Sequence, residues 1–199
     1  MAFKQLTPGS LLSPVPAVMV SCASSADRPN IITVAWAGTV CSLPPMVSIA
    51  VRKERFSHHI IRESGEFVVN LVGEEQLHAA DLCGVRSGAD TDKFDACGLT
   101  PCGVPELQYA PAIGECPLYL ACKTEQLLEL GSHDLFIGRI VGMGVQESLM
   151  DAQGKIDLER ARLIAYSHGV YHTLGEALGF YGYSVAAPDV YARRMKELK

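Results

Sequence analysis

The sequence lacks the short signatures that mark the commonest nucleotide and metal sites. Neither Gly-x-Gly-x-x-Gly nor Gly-x-x-x-x-Gly-Lys-[Ser/Thr] occurs in its 199 residues, so neither a Rossmann nor a P-loop site is expected. Cys-x-x-Cys is also missing. The seven cysteines (Cys22, Cys41, Cys83, Cys97, Cys102, Cys116 and Cys122) are odd in number, and their tightest spacings are five and six positions. That is not the paired short spacing of a zinc site, so reduced thiols in apolar surroundings and no resident metal are expected. No basic block or stripe appears, and the net charge of −5 argues against nucleic acid as a partner. No long hydrophobic run appears either. The stretch from Val15 to Val20 is interrupted by Pro16 and is too short to span a bilayer. A charged segment leading into an apolar stretch and a cleavage site is not found, so a cytoplasmic protein without a membrane partner is expected.

What remains is an ordinary globular composition, 48% hydrophobic and 20% charged, enough for a core without disulfides or metal. A single domain over residues 1–199 is expected, with a helical extension from about residue 164. Short, β-branched segments bounded by Pro, Gly, Asp or Asn predict strands at Ala17–Ser24, Asn30–Ala37, Met46–Arg52 and Glu66–Leu71. Leu118–Leu130 and Asp134–Gln146, joined through Gly131-Ser132, predict a hairpin. Helices are few: Ser57 to about Glu63 with Ser57 as cap, Glu74–Cys83 ended by Gly84, and His168 to Leu178 with Val170, Leu174 and Leu178 on one stripe. Leu99–Pro117, with four prolines and two glycines, predicts a long irregular loop. Many strands with few interleaved helices point to a mainly β fold, an antiparallel barrel that is closed or nearly so.

Two strands differ by face. Asn30–Ala37 carries Ile32, Val34 and Trp36 on one side and Ile31, Thr33, Ala35 and Ala37 on the other. Met46–Arg52 carries Val47, Ile49 and Val51 on one side and Met46, Ser48, Ala50 and Arg52 on the other. A face of small residues lets a flat ligand approach the backbone, the alternative being that small residues merely fit a tapering barrel. Beyond the second strand come Arg52, Arg55 and Ser57 at a helix start. Free N–H groups, a hydroxyl and guanidinium groups there suit a phosphate. The alternative is a helix cap beside solvated arginines.

The stretch Asn30–Leu71, NIITVAWAGTVCSLPPMVSIAVRKERFSHHIIRESGEFVVNL, resembles the flavin reductase-like, FMN-binding split-barrel family, which includes flavoredoxins and a ferric reductase. DLCGVRSG with DKF at Asp92–Phe94, and GSHDLFIGRI at Gly131–Ile140, are similar to two further blocks of that family. The resemblance implies a homodimer of Greek-key split barrels holding FMN near the subunit interface. It places Asn30, Thr33, Ala35 and Trp36 by the flavin or its ribityl chain. It sets Ala50, Val51 and Arg52 against the flavin or ribityl, and Ser57 with Arg52 or Arg55 on the phosphate. Cys83, Gly84, Ser87 and Lys93 then close over the cofactor. The implied activity is NAD(P)H:flavin reductase-like or flavoredoxin-type electron transfer, with NAD(P)H or a redox protein as donor. The alternatives are a ferric reductase, a flavin- or aromatic-ligand-binding module without turnover, and a thiol-based sensor or metal carrier.

Two residues stand apart. Cys41 precedes Pro44-Pro45, and His133 precedes Asp134 at a strand start. In the ferric reductase branch of the resembled family the matching pair is suspected at the metal-reducing site, and thiolate and imidazole are good iron ligands. The alternative is a packed thiol and a hydrogen-bonded imidazole. His58 and His59 are adjacent in a helix and face different sides, at the surface or near the phosphate. Tyr166, Tyr171, Tyr181 and Tyr183 are expected in the core or at a dimer contact.

Overall fold

The computed structural model describes residues 1–198. The strands are β1 (Val15–Pro16), β2 (Val18–Cys22), β3 (Asn30–Val34), β4 (Ala37–Ser42), β5 (Pro45–Arg52), β6 (Glu66–Leu71), β7 (Pro101–Cys102), β8 (Ala112–Ile113), β9 (Leu118–Leu130), β10 (His133–Val145), β11 (Ile164–Ser167) and β12 (Val170–Thr173). The helices are α1 (Phe56–Ser64), α2 (Leu77–Val85), α3 (Lys93–Cys97) and α4 (Pro188–Glu197). Seven strands form one antiparallel sheet in the order β3-β2-β6-β9-β10-β5-β4.

That order forces the sheet to curl. Its two outer strands, β3 and β4, are separated in the chain only by Ala35 and Trp36. Six inter-strand spacings in a flat sheet come to about 29 Å, whereas the link between Val34 and Ala37 reaches at most about 11 Å. The edges therefore meet at the Ala35-Trp36 corner, where the Ala50 N–H donates to the Trp36 carbonyl at 2.9 Å and carries the β4–β5 ladder up to the corner. The expected single strand Asn30–Ala37 is thus two strands with a corner between them, and β4 carries on to Ser42.

The interior takes the bulky faces. Val18, Val20, Ile32, Val34, Val47, Ile49, Val51, Phe67, Val69 and Phe136 form one buried cluster, joined by Ile60 and Ile61 from α1. Each such side chain contributes about 1.5–3 kcal/mol when fully buried. A second cluster lies on the outer side of β2 and β3 under α2 and α3, and includes Met19, Ile31, Ala80, Cys83, Phe94 and Cys116. A third sits where residues 104–112 cross β6 and β9. That crossing is held by Glu66, buried at the start of β6, whose carboxylate accepts N–H bonds from Gln108, Tyr109 and Ala110 at 2.9–3.3 Å.

Four expectations change. Within Leu99–Pro117, β7 and β8 pair as a small ribbon. Gly84 does not end its helix: a 3-10 turn over Glu74–Gln76 leads into α2, which runs through to Val85. The helix expected over His168–Leu178 is a hairpin, β11 paired with β12, and β11 also pairs with β1. His168 (φ 48°) and Gly169 (φ 84°) both take left-handed backbone, as a two-residue turn of matching twist requires. The helical extension expected from about residue 164 therefore begins as strands, and its helix is α4. No helix among the described residues is long and apolar enough to cross a membrane.

Candidate flavin site

β5 delivers Arg52 to the mouth of the barrel, where the chain turns into α1. Glu54, Arg55, Phe56 and Ser57 follow, and the loop after α2 brings Arg86, Ser87 and Gly88 across from the opposite side. With Asn30, Ile32 and Lys93 these residues line a cleft of about 360 Å³. The Gly88 backbone closes this wall. A Cβ at that position would overlap the Asn30 amide and the Phe56 ring, so no larger residue fits without displacing them.

The charge in the cleft is lopsided. Arg52 pairs with Glu54 at 3.2 Å. Among the described residues Arg55, Arg86 and Lys93 form no ion pair. Four cations thus face one carboxylate, in a chain whose net charge is −5. Lys93 is buried, and its ammonium donates to the carbonyls of Ile31 (2.6 Å) and Cys83 (2.8 Å). Burial, with Arg55 adding to it, lowers the Lys93 pKa below the ordinary lysine value.

Ser57 does not cap α1. The N-cap is Arg55, in extended backbone and without a side-chain cap. Ser57 lies in the first turn, buried, and its hydroxyl accepts the Asn30 amide at 2.8 Å. The first turn of α1 also carries no acidic residue. Its orphan N–H groups and the surrounding cations suit an anion such as a phosphate group.

The next residue faces the other way. His58 is buried and its Nε2 meets the Asp134 carboxylate of β10 at 2.8 Å, so the surface or phosphate-side placement expected for it is corrected. Lys53 reaches the same carboxylate at 3.3 Å. Burial pushes the Asp134 pKa up, but the bonds from His58 and Lys53 outweigh it and hold the carboxyl below its usual range. His59 is exposed, 3.5 Å from Asp27.

Of the residues singled out in the sequence, Asn30, Arg52, Arg55, Ser57, Ser87 and Lys93 come together around the cleft. Thr33, Cys83 and Gly84 do not line it. The Thr33 hydroxyl bonds the Ala80 carbonyl of α2, so the small face of β3 receives a helix instead of a ligand. Cys83 is fully buried in the second cluster. The outward face of β5 does stay open, with Ser48 and Ala50 only partly buried, but the Ala50 N–H is spent on Trp36. Val51 points into the core, and its backbone lies opposite Asp134. Ala35 sits half-buried at the corner beside Trp36. Trp36 is half exposed, and its ring lies 4.4 Å from that of His133. The His133 pKa is lowered by burial and by Arg52. Ile32, Glu54, Phe56, Arg86 and Gly88 were not foreseen, although Arg86 and Gly88 sit inside the DLCGVRSG block.

Cys41 and His133 do not meet within one protomer. Cys41 pairs with Met46 and His133 with Arg52, at opposite ends of β5. At about 3.3 Å per residue the two registers are about 20 Å apart along the strand. Ligand bonds of about 2.0–2.3 Å exclude a shared metal over that distance. Among the described residues no other group of three His, Cys, Asp or Glu is placed to hold one.

A split barrel with a cationic, helix-started cleft at its mouth defines a flavin-binding protein of the reductase and electron-transfer class. The comparisons bear this out: residues 11–175 match the flavin reductase like domain, and the chain belongs to that family. It is similar to the flavoredoxin of Desulfovibrio vulgaris (Miyazaki F), with 31% identity, a TM-score of 0.83 and coverage of 91% of this chain and 98% of that one. The flavoredoxin from Methanosarcina acetivorans matches at 27% identity, a TM-score of 0.82 and coverage of 90% and 95%. An NADH:riboflavin 5'-phosphate oxidoreductase of Streptomyces pristinaespiralis is 31% identical over 129 residues, covering 62% of this chain and 66% of that protein. The protein is a flavin-dependent oxidoreductase of this family.

Proposed function

We propose that the flavin is FMN, that its phosphate rests at the start of α1, and that the protein passes electrons from NAD(P)H or a redox protein to an acceptor as a homodimer. One observation carries this reading: four cations and the first turn of α1 surround a single cleft sized for one phosphorylated ligand. The relative that uses riboflavin 5'-phosphate, which is FMN, supports the choice.

In this reading Arg52, Arg55, Arg86 and Lys93 neutralise the phosphate, and guanidinium groups bind two of its oxygens at once. Ser57, positioned by Asn30, adds a hydroxyl. The open face of β5 near Ala50, with Trp36 at the corner, receives the ring system. A flavin bound there supplies the two-electron chemistry, while the chain binds, orients and partly desolvates it. His133, kept neutral beside Trp36 and Arg52, flanks the route by which a donor or acceptor reaches the ring.

Heating the purified protein and comparing the released chromophore with FMN and FAD standards tests the reading. One FMN per chain is expected, together with NAD(P)H oxidation in the presence of an acceptor. Stoichiometric FAD, or no flavin after reconstitution, overturns it.

A further inference from the structure

Behind the cleft lies a pair of thiols that the flavin chemistry does not use. Cys83 in α2 and Cys97 at the end of α3 have their sulfurs 4.0 Å apart. Cys97 is half-buried and opens into a separate surface hollow of about 520 Å³, shared with Glu75, His78 and Leu99. Cys83 is buried behind it.

We propose that Cys83 and Cys97 are a reversible thiol-oxidation site, converted to a disulfide by a peroxide that enters from that hollow. In the first step Cys97 attacks the peroxide: an S–O bond forms, the O–O bond breaks, and water or an alcohol leaves. In the second, the Cys83 thiol attacks the sulfenic sulfur: the S–S bond forms, the S–O bond breaks, and the Cys83 proton passes to the departing hydroxyl, which leaves as water. The two thiols lose two electrons and the peroxide gains two. Closing the sulfurs from 4.0 Å to a bond of about 2.05 Å asks for side-chain rotation and a small shift of α3. Burial and the neighbouring Cys97 push the Cys83 thiol up to about 12, so Cys83 stays protonated at neutral pH and the half-buried Cys97 is the point of entry.

The loop closed by such a bond runs from Cys83 to Cys97 and contains Arg86, Ser87, Gly88 and Lys93, the whole second wall of the cationic cleft. Lys93 also donates to the Cys83 carbonyl. The oxidation state of the pair is therefore coupled to the grip on the ligand phosphate.

The purified protein, treated as isolated with hydrogen peroxide, alkylated and digested, tests the site by peptide mass, whatever its flavin content. The expected product is a Cys83–Cys97 cross-linked peptide, lighter by two hydrogens and restored by dithiothreitol. It should be lost in Cys97→Ser and retained in Cys102→Ser. Oxidation of Cys97 to sulfinic acid without a cross-link, or a cross-link from Cys97 to Cys116 instead, overturns the assignment. Reconstitution of the oxidised and reduced forms with FMN should then show dissociation constants differing by about fivefold, the lower end of the usual coupling range. Equal constants overturn the coupling while leaving the flavin assignment intact.

Discussion

At the scale of single residues, the cleft distinguishes arginines that look alike in sequence. Arg52 already shares its charge with Glu54, whereas Arg55 and Arg86 have no carboxylate partner among the described residues. An added phosphate therefore offers Arg86 a first anionic partner and Arg52 a second. Arg86→Ala is expected to weaken FMN binding by about 1.5–3 kcal/mol, the range for a hydrogen bond to a charged group, and Arg52→Ala by the lower end of that range. Fluorescence titration of the two apoproteins measures both. An unchanged dissociation constant in Arg86→Ala would place the phosphate away from the α2–α3 wall. Circular dichroism checks that the variants remain folded. The resemblance placed Ser87 at the site but not its neighbours Arg86 and Gly88, because the sequence does not say which residues of the DLCGVRSG block face Arg52 and Ser57. Only the packing of α2 on β3 brings the two segments face to face.

At the scale of elements, α1 is held from both sides of its first turn. Ser57 points to Asn30 and the cleft, while His58 points inward to Asp134 on β10. The Asp134–His58 pair thus fixes the position and tilt of the helix start proposed to receive the phosphate. Removing one partner leaves the other buried and unpaired, a loss of about 3 kcal/mol. Asp134→Ala is accordingly expected to lower the unfolding free energy read from urea melts by that amount and to weaken flavin binding, although Asp134 does not line the cleft. The pH dependence follows from the direction of the shift. The Asp134 carboxyl is depressed in the folded protein, so its stabilisation is complete above the unfolded carboxylate range, about pH 4, and is lost as the pH falls through the lower folded value. Wild type should therefore lose its stability advantage over Asp134→Ala on acidification below about pH 4, as measured by paired urea melts. An advantage that stays constant there would assign the effect to packing alone.

For the whole molecule, the barrel leaves apolar groups uncovered from its corner along the length of β4. Trp36, Val40 and Leu43 are 47%, 50% and 88% exposed, more than an isolated surface needs. An isologous homodimer covering this face is the assembly in keeping with the proposed function. Light scattering should give a mass of twice 21.4 kDa at micromolar concentration, with the dimer resisting dilution better when FMN is present, since a ligand bound by the dimer stabilises it by mass action. A monomer that retains flavin would contradict it.

Local pattern was enough where the physics is local. Alternating faces, turn residues and a Gly-started hairpin marked β2, β5, β6, β9 and β10, because side chains that alternate across a pleat sort onto two faces, one toward the barrel interior and the other toward solvent or a covering segment. The bulky faces of β3 and β5 went to the barrel interior as their periodicity required. The cluster Arg52–Ser57 was legible for the same reason, since a strand end, two arginines and a helix start lie within six consecutive residues. The His168-Gly169 turn is not legible because Val170, Leu174 and Leu178 recur every four residues, which reads as a helical stripe, and His-Gly is not among the strong hairpin pairs. What required the tertiary structure was everything decided by contacts between distant segments. Thr33 and Cys83 pack where α2 meets β3 and do not line the cleft. Cys41 and His133 were separated by the register along β5. Arg86 and Gly88 joined Ser87 and Lys93 on the second wall of the cleft only through the packing of the α2–α3 segment. Sequence carries no measure of such distances, because they depend on where the whole chain closes on itself, and here that closure was imposed by a seven-stranded sheet whose two edges are joined by two residues.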